Sequence, residues 1–261
     1  MDATIPTPPP LPVPWPAAPP RLPERPGYLL TLAVLWSLGA MCAAVVVAAL
    51  LGVASKLRLG NKLLADPRVI ALLTTAALGL VLLAVARWQA RTIGHGDVRR
   101  GLGAGPIRRP WLLLALAALT VVAPSIWIVS LQTLLHPKHQ AEGVTELVRA
   151  STSLGPGIQL ATWFVMVALA PVAEELFFRG WLWTGLRRRW GLVGVVVGTS
   201  APWLVMHMPD GALRPLFLLP AALLFSLARE YCGGVWASLT LHLVNNAVSV
   251  GVLTLMLQSG T

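Results

Sequence analysis

The run "YLLTLAVLWSLGAMCAAVVVAALLGVA", Tyr28 to Ala54, has no polar face in any helical or extended register. In lipid nothing but the chain itself can satisfy backbone N–H and C=O groups, so an apolar run of this length crosses a membrane as a helix. Comparable stretches follow at Val69–Ala86, Trp111–Leu135, Gln159–Leu186, Leu192–His207, Leu213–Ala228 and Gly234–Leu257. The sixth is the least regular, with Pro215 and Pro220 inside it. Only 11% of residues are charged, against about a quarter in a soluble domain. The runs are continuous, whereas a β-barrel needs short alternating segments. The expected fold is an all-α, polytopic membrane protein of about seven spans, placed in the cytoplasmic membrane of a bacterium by its Ala, Leu, Arg and Val bias.

Three regions are expected. Residues 1–27, crowded with proline in "TPPPLPVPWPAAPPRLPERP", read as a disordered tail. Residues 28–158 hold three spans and their basic loops, and 159–257 form a helical core. The net charge of +10 comes mostly from short loops, where membrane proteins carry it for orientation, so nucleic acid is not an expected partner. The tail and the second, fourth and sixth loops hold twelve lysines and arginines; the alternate loops hold seven. The positive-inside rule then assigns the N-terminus and "RRRW" to the cytoplasm. Cys42 and Cys232 lie in or beside apolar runs and read as structural.

Strongly polar side chains within the spans are few, and all fall in the C-terminal half: Glu174, Glu175, Arg179, His207, His242, Asn245 and Asn246. An ionisable group at bilayer depth costs roughly 3 kcal/mol on insertion scales and marks a functional site by default. Helical spacing pairs Glu175 with Arg179, four residues on, and leaves Glu174 on another face. His242 and Asn246 share a face, as do Trp203 and His207. From Glu174 to Arg188 is about 21 Å of helix, and from Gly191 to His207 about 24 Å. A hairpin turning at "RRRW" therefore brings Glu174 and His207 to similar depth, with His242 and Asn246 beside them on the last helix.

These residues resemble a family. "EELFFR" matches the EExxxR motif of the CPBP intramembrane proteases, which include CAAX prenyl endopeptidases and bacteriocin-processing (Abi) enzymes. "WLVMH" is similar to their FxxxH, with Trp203 in place of phenylalanine, and "HLVNN" to their HxxxN. The resemblance covers about residues 160–250. It implies hydrolysis of a peptide bond in a membrane-associated protein or peptide, with no cofactor. Glu174 and His207 would activate water, His242 and Asn246 would stabilise the oxyanion, and Glu175, Arg179 and Trp203 would support them. Three alternatives stay open. One is a zinc enzyme with Glu174, His207 and His242 as ligands. The others are a proton-coupled transporter and a non-catalytic scaffold or immunity factor.

Overall fold

The computed structural model describes residues 25–57, 66–135 and 142–259. Most of the proline-rich tail lies outside them. Among the described residues there are nine longer helical elements, a single 3-10 turn at Met208–Asp210 and no strand: α1 (Pro26–Lys56), α2 (Pro67–Ile93), α3 (Val98–Leu102), α4 (Pro110–Leu135), α5 (Glu142–Ser153), α6 (Pro156–Arg187), α7 (Leu192–Met206), α8 (Arg214–Tyr231) and α9 (Val235–Ser259). The protein is an all-α polytopic membrane protein. Five helices, α1, α2, α4, α6 and α9, are long and apolar enough to span, at 25 to 32 residues each. The expected count of about seven divides at the two remaining apolar stretches. The α7 helix has only 15 residues, about 22 Å, and α8 has 18 with Arg214, Arg229 and Glu230 near its ends, about 27 Å. Both fall short of a hydrocarbon core of about 30 Å.

Local chemistry sets the helix ends. Four of the long helices open on or next to proline, whose missing N–H costs nothing in the first turn. Asp66 caps α2 by accepting from the Arg68 N–H and pairs with the Arg68 guanidinium at 2.8 Å. These hydrogen bonds hold its carboxyl down at about 2. Asp97 caps α3 by accepting from Arg99 and Arg100 N–H groups. Gly233 and Gly234, at φ of +105° and +111°, turn the chain between α8 and α9. Sequence reasoning passed over α3 and α5, which lie in segments read as loops.

The "RRRW" turn, the α2 C-terminus, the 103–109 loop and the α8–α9 turn meet at one end of the molecule. Arg188 donates to the Ile93 carbonyl at 2.8 Å, and the Arg108 N–H to the Cys232 carbonyl at 2.9 Å. Arg187 pairs with Glu230 at 2.8 Å. The N-terminal end of α1 joins them, since Leu29 packs on Gly185. The core forms around α6, where Phe177, Phe178, Trp181, Leu182 and Leu186 are fully buried with Trp203 and Phe225. The outer faces are apolar and exposed, as at Leu114, Val193 and Leu255, which suits lipid rather than water.

Candidate active site

The acids lie on α6, which is not a regular α-helix. Phe164–Leu169 and Glu175–Leu182 are wound as π-helix, one on each side of Glu174. Between them Pro171 removes a backbone donor. Widened turns of this kind occur often at functional sites. Each π segment offers a carbonyl to a side chain of another helix. Asn246 Nδ2 donates to the Met166 carbonyl at 2.9 Å, and Arg229 Nε donates to the Arg179 carbonyl at 2.6 Å.

The two adjacent acids occupy different environments. Glu175 is fully buried, 3.3 Å from Arg179 Nη1, and accepts from His242 Nδ1 at 3.0 Å. Arg179 is also fully buried, and its contact with Glu175 is a charge contact without hydrogen-bond alignment. None of its guanidinium nitrogens has a hydrogen-bond acceptor, and Glu175 Oε2 has no donor. The cation instead rests over the Trp203 ring at 4.7 Å and near Phe225 at 5.8 Å, a cation–π contact that gains strength away from water. Glu174 keeps 13% of its side chain exposed. Its Oε2 accepts from the Trp203 indole N–H at 2.6 Å and lies 3.9 Å from His242 Nε2.

The histidines are pinned alike. His207 Nδ1 lies 2.8 Å from the Trp203 carbonyl. That carbonyl is freed at the end of α7, where the His207 N–H turns to Leu204. A carbonyl only accepts, so Nδ1 carries the proton and Nε2 is left open. His242 Nδ1 faces a carboxylate and by the same reasoning donates, so its Nε2 points toward Glu174. The His242 ring stacks on Phe225 at 4.5 Å. Asn246 Oδ1 accepts from Asn245 Nδ2 at 3.1 Å, which turns its amino group to Met166 with one hydrogen to spare.

The expected residues are thus gathered, with two differences. Glu174 meets Trp203, one turn before His207, because the π turns between Glu174 and "RRRW" rise less per residue than the assumed α-helix. His242 is bonded to Glu175, and its neighbour in the HxxxN pair, Asn246, bonds the backbone of α6. Sequence reasoning missed Arg229 and Phe225. Arg229 had a signal, as a lone arginine beside the apolar run of α8. Phe225 had none. Among the described residues no three His, Cys, Asp or Glu side chains are grouped as metal ligands. Cys42 and Cys232 are both free thiols, and Cys232 is buried.

A buried to half-buried set of acid, histidine and amide side chains, drawn from α6, α9 and the end of α7 in a polytopic helical protein, defines an intramembrane polar site. Residues 156–248 match the family model described as type II CAAX prenyl endopeptidase Rce1-like. That match covers about a third of the chain and is consistent with a CPBP intramembrane protease. No curated protein and no solved structure matches the chain.

Proposed function

We propose that the chain is an intramembrane endopeptidase in which Glu174 is the general base. The observation that carries this is the contrast between the two acids. Glu175 is sealed, ion-paired and hydrogen-bonded, while Glu174 is partly open, with one oxygen held by Trp203 and the other without a hydrogen bond among the described residues. Water held between Glu174 and the open Nε2 of His207 gives a proton to Glu174, and the resulting hydroxide adds to the scissile carbonyl carbon. Charge gathers on the carbonyl oxygen, where the spare amide hydrogen of Asn246 can donate. His242 Nε2 can donate too when its ring carries both protons. Such a donor contributes about 3–4 kcal/mol in other enzymes. The C–N bond then breaks as Glu174 returns its proton to the leaving amine.

A second reading is favoured by one observation. Anchoring both histidines through Nδ1 leaves both Nε2 atoms as lone pairs, which is how metal-binding imidazoles are commonly held. Glu174, His207 and His242 would then hold zinc, though their side chains would have to draw together, since they are not grouped as metal ligands among the described residues.

Turnover by Glu174→Gln tests the first reading. The amide keeps the shape but takes no proton, so cleavage of a membrane-peptide pool by the variant in proteoliposomes should fall roughly 10²–10⁴-fold. Near-normal turnover would remove Glu174 from the role of base.

A further inference from the structure

The arginine-rich end gathers positive charge where helices start and stop. Eight arginines, from α3, the 103–109 loop, the "RRRW" turn and α8, meet there with Asp97 and Glu230 as the acids. Asp97 caps α3 and Glu230 pairs with Arg187, and the end is strongly cationic. The same end carries the aromatic side chains that sit at headgroup level in a membrane. Among the described residues six tyrosines and tryptophans are exposed, and all but Trp127 lie within about two turns of it: Tyr28, Trp88, Trp111, Tyr231 and Trp236.

Within this end a shallow cleft of about 250 Å³ opens between the C-termini of α6 and α8. Trp183, Thr184, Arg187, Arg188, Arg229 and Glu230 line it. Arg229 is half-buried and fixed from two sides, with Nε on the Arg179 carbonyl at 2.6 Å and Nη2 on the Thr184 hydroxyl at 3.1 Å. Its Nη1 has no acceptor among the described residues. Three arginines against one glutamate give the cleft a net positive charge. Its volume is below the roughly 300 Å³ at which pockets for drug-sized molecules begin, which suits a headgroup rather than a whole lipid. The rest of a lipid has its own place. Leu223, Leu227 and Tyr231 recur every four residues on α8 and are all exposed, an apolar stripe that runs from the cleft toward the middle of the membrane.

We propose that the cleft holds the phosphate of an anionic phospholipid, with Arg187, Arg188 and Arg229 around it and the acyl chains along the α8 stripe. A guanidinium matches phosphate oxygens with paired N–H groups, and such charge-assisted bonds are about twice as strong as neutral ones. Basic pockets between helices at headgroup level are where anionic lipids are recognised. A lipid fits better than free phosphate because the cleft and the apolar stripe are continuous. Since Arg229 also holds the second π turn of α6, an occupied cleft braces the helix that carries the acids. The site stands whether or not the protein is an endopeptidase.

Lipid retention tests this without any need for turnover. The full chain, purified in a neutral detergent, is titrated with phosphatidylglycerol, phosphatidylcholine or glycerol phosphate. Bound lipid is read by native mass spectrometry and the thermal midpoint is followed alongside. Phosphatidylglycerol should be retained and should raise the midpoint, while phosphatidylcholine and glycerol phosphate should do neither. Arg187→Gln should lower the affinity for phosphatidylglycerol about fivefold. Glu230→Gln removes the one negative charge of the cleft and should raise it, a change of sign that misfolding cannot imitate. Arg99→Gln, an exposed arginine of α3 outside the cleft, should leave it unchanged. Equal retention of the two lipids, or a loss in Arg99→Gln as large as in Arg187→Gln, overturns the proposal in favour of a diffuse surface charge. A midpoint raised as much by glycerol phosphate refutes a lipid as the occupant, and a weakened or unchanged Glu230→Gln refutes the cleft as the place.

Discussion

At the residue scale, the adjacent acids differ because each meets a different neighbour. Glu175→Gln leaves Arg179 buried without its counter-charge, and breaking a buried pair costs roughly 3–5 kcal/mol. Its main defect should be in yield and thermal stability, and adding Arg179→Met should restore part of the activity. A stable, well-folded Glu175→Gln that is inactive, beside a working Glu174→Gln, would show the roles reversed. Trp203 supplies what phenylalanine cannot, an N–H aimed at the Glu174 carboxylate at 2.6 Å. A hydrogen bond to a charged group contributes roughly 1.5–3 kcal/mol. Trp203→Phe keeps an aromatic ring under Arg179, so the fold should persist while kcat falls about 10- to 100-fold with little change in KM. An unchanged kcat would reduce Trp203 to packing.

At the element scale, the site depends on α6 holding two π turns, and each is tied from outside by a side chain. Asn246 on α9 holds the first and Arg229 on α8 the second. The short α3 helix helps brace the second, since Leu102 lies against Gly180. It reaches that position because Gly101 lets its backbone press on α2: a Cβ there would collide with the Ala90 carbonyl. Backbone cannot yield as a side chain can, so Gly101→Ala should lift α3 from α2 and cost about 1–3 kcal/mol. The check is a lower thermal midpoint in detergent. Gly157→Ala, where a Cβ meets nothing within 4 Å, serves as the control and should leave the midpoint unmoved.

For the whole molecule, the arginine-rich end is a stitched floor and the site lies above it, within the membrane. In the Glu174-base reading, water and substrate reach Glu174 beside His207 and Asn246, which are half-buried. In the Glu174-base reading no metal takes part, so a strong zinc chelator should leave the purified protein active. Loss of activity restored by zinc and by no other divalent ion would transfer Glu174, His207 and His242 to the metal reading.

Much of this was legible in the chain itself. Apolar runs dictate spanning helices because lipid satisfies no backbone group, and that holds whatever the neighbours are. Seven polar residues stood out against those runs, and the four-residue spacing of Glu175 and Arg179 survived even in a π turn. Partners across helices were not legible, because they depend on rise per residue and on which faces meet. An α-helical count set Glu174 level with His207, and the widened turns of α6 moved it to Trp203. The bond from His242 to Glu175, the stacking of Phe225 on His242 and the hold of Arg229 on the Arg179 carbonyl join residues 17 to 67 positions apart. The sequence alone determined which side chains are too polar for lipid; tertiary packing decided which of them are sealed and which are left partly open.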